Sequence, residues 1–333
     1  MKLSIIVPVF NVEKFLEKCI LSLVNQDIDC HVYEIIAIND GSTDSSSIIL
    51  ENLKQKISNL IIINQENKGL SGARNTGFNA AQGDYIICVD SDDYLLPNTL
   101  KHLLYLVKKN NLDILEFAAL GVDENQQIKY KASNSSQEQI YAGTKYLAKI
   151  TYMSSACNKV YNRKFLNYHK LRFMEGVYIE DIEFNTRAVF MAEKIMATDY
   201  VAAHFLQREG SITRTVNFGK KKKMIYDIQT VLLSINSFAE CKITPNSVAY
   251  LPIKKRVSSL MATMFLRVMK DCKSINTFKE IVINLKKHHL YPAKYPAETK
   301  MKQLFLKITT YHIICQTKKP ASIKNTKNDT NSA

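Results

Sequence analysis

Short apolar runs alternate with amphipathic segments through the first part of the chain. Four apolar runs have the length of buried strands and lie at residues 3–9, 34–38, 60–64 and 85–89. The segments between and after them carry apolar residues at helical spacing and predict helices at residues 12–24, 45–56, 72–81 and 97–110. Strands that alternate with helices favour an α/β fold, with a mostly parallel sheet covered by helices on both faces.

The pattern changes in the second half of the chain. Residues 114–122 predict a strand, and residues 144–150 and 181–191 predict helices. From Asn217 onward the pattern is helical, most clearly at residues 224–238 and 257–269. We therefore expect a C-terminal helical extension, followed by a polar, disordered tail at residues 318–333.

Polar and glycine-rich segments follow each of the four predicted strands. In open α/β sheets, ligands bind beyond the carboxyl ends of the strands. The segments at these positions are Pro8-Val9-Phe10-Asn11, Asn39-Asp40-Gly41-Ser42-Thr43-Asp44, Asn67-Lys68-Gly69-Leu70-Ser71-Gly72 and Asp90-Ser91-Asp92-Asp93. Ordinary turns use the same residue types, so no single segment decides the function.

The acidic segment Asp90-Ser91-Asp92-Asp93 has two interpretations. Three neighbouring carboxylates repel one another unless a cation is present, and their hard oxygen atoms suit Mg²⁺ or Mn²⁺. The alternative is a solvated acidic turn that caps the next helix. Asp40 has a similar choice between binding a nucleotide base and capping a helix, whereas capping is favoured for Ser42 and Asp44.

The remaining candidate residues carry weaker signals. The segment that contains Lys68 and Arg74 leads into a helix whose N-terminus favours anions, but its glycine spacing matches neither a P-loop nor a dinucleotide fingerprint. Asp181 beside Glu180 can be a general base, or both can belong to an ordinary acidic helix start. His204 can bind a metal or be structural. Arg208 can bind a phosphate or pair with a nearby acid.

Composition separates two parts of the chain. Its 333 residues are 46% hydrophobic and 23% charged, as in ordinary globular proteins, and the net charge is +14. Residues 1–213 have a net charge of −3, however, and residues 214–333 a net charge of +17. The seven cysteines lack the spacing of a disulfide framework or a zinc site, which favours a reducing compartment. With no signal peptide or apolar run of about 20 residues, we expect a cytoplasmic protein.

Taken in order, the segments resemble the family 2 glycosyltransferases of the GT-A fold. The resemblance covers about residues 1–215. Its motifs are Pro8-Val9-Phe10-Asn11, Asn39-Asp40-Gly41-Ser42-Thr43-Asp44, Asn67-x-Gly69-x-x-x-Ala73-Arg74-Asn75-x-Gly77, Asp90-Ser91-Asp92-Asp93, Asn158-Lys159-Val160-Tyr161, Glu180-Asp181 and Gln207-Arg208-Glu209-Gly210-Ser211-Ile212-Thr213.

The resemblance implies roles for individual residues. Asp181 would deprotonate the acceptor hydroxyl, with inversion at the sugar, and Asp92 would bind a divalent cation, Mn²⁺ or Mg²⁺. Many relatives carry an aromatic residue at the position of His204, and this departure makes His204 a candidate third metal ligand. Glu180 and Arg208 would contact the acceptor or a phosphate. The residues that would bind the nucleotide sugar, most often a UDP-sugar, are Pro8, Phe10, Asp40, Gly69, Gly72, Arg74, Asp90 and Ser91.

The resemblance also implies an organisation and partners. Residues 1–115 would bind the donor and residues 116–215 the acceptor, a glycan on a lipid diphosphate. Beyond the resemblance, the charge and helical pattern of residues 216–317 predict a basic extension, which fits peripheral attachment to the anionic inner face of the cell membrane. For residues 257–269 a helical bundle is favoured over membrane contact, whereas for residues 220–223 membrane contact is favoured.

Two other function classes remain. A metal-dependent nucleotidyltransferase shares the carboxylate chemistry, but the segment after the first strand lacks the glycine and basic residues expected there. A nucleic-acid-binding protein would explain the +17 but not the acidic strand ends. We therefore expect no nucleic acid partner.

Overall fold

The computed structural model describes residues 2–150, 152–207 and 217–317, without the side chains of residues 310–317. The predicted tail at residues 318–333 and the predicted site residue Arg208 lie outside the described residues. Below, residues 2–207 are called the sheet region and residues 217–317 the helical extension.

In the described part of the chain, nine strands form one sheet. They are β1 Leu3–Val9, β2 Tyr33–Asp40, β3 Leu60–Gln65, β4 Tyr85–Cys88, β5 Tyr94–Leu95, β6 Ile114–Val122, β7 Ile128–Ala132, β8 Lys159–Asn162 and β9 Ile195–Leu206. Their order is β3-β2-β1-β4-β8-β6-β9-β5, and β7 pairs with β6. The pairs among β1 to β4 are parallel, as is β6 with β9, whereas β8 is antiparallel to both of its neighbours.

Eleven α-helices accompany this sheet in the described residues. Those of the sheet region are α1 Glu13–Val24, α2 Ser46–Lys54, α3 Gly69–Ala80, α4 Leu100–Asn110, α5 Gly143–Lys149, α6 Arg163–Tyr168 and α7 Glu180–Met191. Those of the helical extension are α8 Phe218–Lys242, α9 Tyr250–Arg267, α10 Ile275–Lys287 and α11 Lys300–Thr317. The predicted α/β fold with a C-terminal helical extension is therefore confirmed.

Parallel pairing of the first strands positions the candidate site. Every residue of β1 and β2 is buried, as expected for central strands of a sheet covered on both faces. Val9 pairs with Asn39, and Asn39 pairs with Asn64, so these three strands end at the same edge. The polar segments that follow them therefore meet there.

The helical extension has a hydrophobic core of its own. The apolar stripe of α9 lies within it, which matches the helical-bundle interpretation of residues 257–269; its buried members are Val257, Leu260, Met261, Met264, Phe265 and Val268. This core continues onto the sheet region through Tyr178, Ile182 and Phe190. Among the described helices, none has both the length and the hydropathy of a membrane-spanning segment.

Candidate active site

Asp40 and Phe10 lie at the carboxyl edge of the sheet in different environments. Asp40 is buried, and its Oδ1 accepts hydrogen bonds from the Gln65 side chain at 2.6 Å and from the Lys68 backbone N–H at 2.8 Å. This carboxylate therefore holds the turn that begins α3. Phe10 is 47% exposed, so its ring is available to a ligand.

Two of the three glycines of α3, Gly69 and Gly72, are needed for different reasons. Gly69 has a φ of +74°, which other residues adopt at a cost, and a Cβ there would meet nothing within 4 Å. Its surface is therefore open to a ligand. A Cβ at Gly72 would lie 2.4 Å from the Cβ of Lys68, so Gly72 allows Lys68 to pack against the helix.

Two further predicted donor-site residues are buried. Pro8 lies within β1, opposite Ile38 of β2. Ser91 is 6% exposed. Both therefore belong to the walls that support the edge, and their contact with a nucleotide sugar stays a prediction.

Arg74 is the centre of the candidate site. Its side chain is 1% exposed and forms ion pairs with three carboxylates: Asp90 at 2.7 Å, Glu180 at 2.8 Å and Asp181 at 2.7 Å. Arg74 lies in α3, Asp90 follows β4, and the other two acids begin α7. One buried guanidinium thus joins residues separated by more than 100 positions, and it faces protein carboxylates on several sides.

One positive charge among three carboxylates changes their acidity. Burial and the neighbouring Asp181 raise the pKa of Glu180 to about 8, against the opposing effect of Arg74. Burial and Asp90 likewise raise the pKa of Asp181, while Arg74 opposes the shift. A carboxylate with a raised pKa is a stronger base, and Asp181 is 24% exposed, so it can take a proton from a ligand.

The second oxygen of Asp181 is fixed by the loop at residues 152–158. The Ala156 backbone N–H donates to Asp181 Oδ2 at 3.0 Å. Lys159, which is fully buried, donates from its Nζ to the carbonyl oxygens of Met153 and Ser155 at 2.8 and 2.7 Å. One buried lysine of β8 therefore holds the backbone of the loop that orients Asp181.

The acidic segment after β4 offers oxygen ligands to a cation. The Asp90 side chain is 33% exposed, and Asp92 lines a cavity of about 130 Å³ together with Lys18 and Tyr94. Asp93 has a structural contact, because its Oδ1 accepts a hydrogen bond from the Leu206 backbone N–H at 2.7 Å. Asp90 and Asp92 are half-buried and Asp92 reaches the cavity, so the donor chemistry of the two carboxylates suits a hard divalent cation, Mg²⁺ or Mn²⁺.

His204 contacts an aromatic neighbour. Its Nδ1 lies 3.0 Å from the Tyr94 hydroxyl, and burial together with the charge of Lys18 lowers the pKa of His204. Among the described residues, Asp90, Asp92 and His204 do not form a group of three ligand atoms within 4.8 Å of one another. The metal role of His204 therefore stays a prediction without a preformed geometry.

The connections among these residues are not evident from the sequence. The resemblance placed Arg74 in the nucleotide pocket, whereas the structure surrounds it with acids from other segments. It assigned no role to Lys159 or Ala156, although the segment containing Lys159 was among the motifs. The signal available was a lysine inside an apolar strand, which needs buried oxygen partners.

The chain resembles known glycosyltransferases. Residues 4–169 match the model of glycosyl transferase family 2. Glycosyltransferase GlyA of Streptococcus pneumoniae is 31% identical over 64% of this chain and 32% of the relative. Poly(ribitol-phosphate) beta-glucosyltransferase of Bacillus spizizenii is 33% identical over 63% of this chain and 33% of the relative. The chain thus spans about a third of the length of both relatives.

Solved structures share the fold. S. aureus TarS 1–349, in complex with UDP-GlcNAc, superimposes with a TM-score of 0.57 and 20% identity over 86% of this chain and 92% of that one. The mannosyltransferase PcManGT from Pyrobaculum calidifontis, in complex with GDP-Man and Mn²⁺, gives a TM-score of 0.54 and 14% identity over 96% of this chain and 88% of that one. The predicted GT-A fold is therefore confirmed.

Proposed function

The chain belongs, through residues 4–169, to glycosyl transferase family 2, and on this premise we propose that it transfers a sugar from a nucleotide diphosphate sugar to a hydroxyl group of a glycan acceptor. The observation that carries the proposal is the convergence of Asp90, Glu180 and Asp181 on Arg74. It brings the acidic segment after β4 and a candidate base to the two terminal nitrogens of one buried guanidinium, so a diphosphate-bound cation and an acceptor hydroxyl would meet close together.

The donor side lies at the ends of β1 to β4. Exposed Phe10 and the open surface at Gly69 are suited to a nucleotide, and Asp40 shapes the turn between them. Asp90 and Asp92 would hold a divalent cation, Mn²⁺ or Mg²⁺, which when bound neutralises charge on the leaving diphosphate. A UDP-sugar is the foremost donor, because a structure of the same fold contains UDP-GlcNAc.

The acceptor side is formed by α7 and the loop at residues 152–158. Asp181 takes the proton of the acceptor hydroxyl while the oxygen forms its bond to the anomeric carbon. The bond from that carbon to the diphosphate breaks, and the nucleoside diphosphate leaves with the bonding electrons. Attack in line with the departing group inverts the sugar configuration. Arg74 and the Ala156 N–H keep Asp181 oriented throughout.

We further propose that the acceptor is linked to a lipid in surface polysaccharide synthesis, and that the enzyme works at the cytoplasmic face of an anionic membrane. Residues 217–317 contain 18 basic and five acidic residues. Lys220 and Lys222 are exposed at the start of α8, next to Phe218, which is also exposed. Exposed basic residues beside an apolar side chain suit an anionic bilayer surface.

The proposal is tested by measuring release of the nucleoside diphosphate from UDP-glucose, UDP-galactose, UDP-GlcNAc, GDP-mannose and dTDP-glucose, with Mn²⁺ and with EDTA. We expect one donor to react in a Mn²⁺-dependent manner. Asp181→Asn should lower the rate by about 10³-fold while still binding UDP with Mn²⁺, because the amide keeps the shape of the side chain but cannot take the proton. Asp92→Asn should lose Mn²⁺-dependent UDP binding as well.

Asp84→Asn is the matched control, since Asp84 is exposed and directly precedes β4, at the end of the strand opposite to Asp90. It should keep full activity. Activity of Asp181→Asn at the wild-type level would remove Asp181 as the base, and no reaction of the wild-type chain with any donor would contradict the proposed function.

A further inference from the structure

A residue of the helical extension contacts the loop that holds the candidate base. The Arg256 guanidinium, on α9, lies 4.1 Å from the centre of the Tyr152 ring, and its Nη1 is 3.4 Å from Ser154 Oγ. Its Nε is 3.2 Å from Glu298. The Arg256 side chain is 12% exposed. It therefore fills the junction between the extension and residues 152–154.

The loop transmits this contact to α7. The Tyr152 hydroxyl is 2.9 Å from Thr186 Oγ1, and the Asn185 side chain donates to the Ser154 carbonyl oxygen at 2.7 Å. Two residues further along, the Ala156 N–H donates to Asp181. The loop thus lies against the same helix that carries the base.

We propose that Arg256 is a positioning residue for Asp181: through Tyr152 and Ser154 it fixes the loop whose Ala156 N–H orients the carboxylate. The inference rests on the proposed function, in which Asp181 is the base. It makes the helical extension a working part of the acceptor side. Lys159 of β8 binds two carbonyl oxygens of the loop, and Arg256 of the extension contacts its Tyr152 ring. The loop is therefore held on two sides.

Lys254 provides a matched control on the same helix. Its side chain is 3% exposed, and like Arg256 it lies near tyrosine rings and a glutamate. Its contacts, however, are with Asn236, Glu240, Tyr250 and Tyr295, all of which belong to the extension. A change at Lys254 therefore perturbs the extension without touching the loop at residues 152–158.

The experiment compares Arg256→Ala and Lys254→Ala in the full chain, at a temperature at which both are folded. Nucleoside diphosphate release from the reactive donor with Mn²⁺ should show kcat lowered by about 10–100-fold for Arg256→Ala, because small misplacement of a reacting group has effects of this size. The KM for the donor should stay within about twofold, since the donor side is not part of the loop. Lys254→Ala should keep kcat within about twofold of the wild type.

Hydrogen exchange supplies a readout that does not depend on activity. Peptides covering residues 152–158 should exchange about tenfold faster in Arg256→Ala than in the wild type, and be unchanged in Lys254→Ala. If Arg256→Ala does not fold, Arg256→Lys replaces it. That variant keeps the charge but loses the planar group over Tyr152, so the changes should have the same direction and a smaller size.

Equal loss of kcat in both alanine variants, or wild-type kcat and exchange in Arg256→Ala, would overturn the inference while leaving the proposed function intact. Failure of the proposed function is distinguishable from this, because the wild-type chain itself would then release no nucleoside diphosphate from any donor. The exchange comparison can still be made in that case.

Discussion

The sheet region and the helical extension both bury basic side chains that pair with acids, but the net charges of the two regions differ in sign. In the sheet region, Arg74 forms ion pairs with three carboxylates. Asp92 is a further acid, two positions after Asp90. In the extension, the five acidic residues at 217–317 all contact a basic or tyrosine side chain, and they are outnumbered by 18 basic residues.

Each region therefore carries an unbalanced net charge, which is negative in the sheet region and positive in the extension. The candidate site has an excess of carboxylates, which a cation from solution would balance. The extension has an excess of surface lysines, which an anionic surface would balance. The net charge of +14 is the sum over both parts of the chain and therefore describes neither of them.

A substitution at Arg74 should have the largest effect on the stability of the sheet region. We expect Arg74→Met to lower the free energy of unfolding by about 3–5 kcal/mol, because it leaves three carboxylates near one another without their common partner. Urea denaturation measures the change. Lys129→Met, which removes one exposed surface ion pair with Asp123, should cost about 0–1 kcal/mol. Equal small losses in both variants would show that the carboxylates do not depend on Arg74.

The raised pKa of Glu180 gives the second test. A carboxyl group whose pKa is raised on folding stabilises the folded state when protonated, so its contribution is full at low pH and is lost as the pH rises through about 8. Glu180→Gln removes this titration. The Tm of the variant minus the Tm of the wild type should therefore increase between pH 5 and pH 9, by on the order of 5 °C.

Thermal unfolding in EDTA across this pH range measures the effect. Because Glu180 lies beside Asp181 and their titrations are coupled, the profile reports the pair of carboxyls. A constant offset between the wild-type and variant profiles would contradict the raised pKa.

Within the sheet region, the two halves of the sheet differ in how far the sequence could predict them. Apolar runs located β1 to β4 and the polar strand ends, because a buried parallel strand and its turn are local features. Ile114–Val122 was likewise predicted at its observed bounds. Strand direction in the second half of the sheet was not predictable, because the pairing of β8 with β4 and β6 depends on distant segments.

The same reason limits prediction of the site. Asp90 and Asp181 could be recognised from residue type and motif, but their sharing of Arg74 depends on a contact across 107 positions. Arg256 lies beyond the motifs altogether, and its contact with Tyr152 is a product of how the extension packs on α7. Sequence patterns identify which residues carry chemistry, whereas tertiary packing decides which of them act together.

The smallest expected effect concerns the charge of the extension. Lys220→Gln combined with Lys222→Gln should weaken binding to anionic vesicles by about 30-fold, since each basic residue near such a surface contributes about 1 kcal/mol. Lys223 is left unchanged because its Nζ donates to the Gly176 carbonyl oxygen and to Asp227. The first of these bonds connects α8 to the sheet region, so a change there would also perturb the structure.

Vesicle flotation at low and high salt measures this difference. The control is Lys14→Gln combined with Lys54→Gln, two exposed lysines of the sheet region, which lowers the net charge by the same amount. The control should bind like the wild type at about 0.1 M salt, because charges then attract the bilayer only when they lie within about 10 Å of its surface. Equal weakening in both variants would mean that net charge alone governs binding, and equal binding to neutral and anionic vesicles would remove the electrostatic role of the extension.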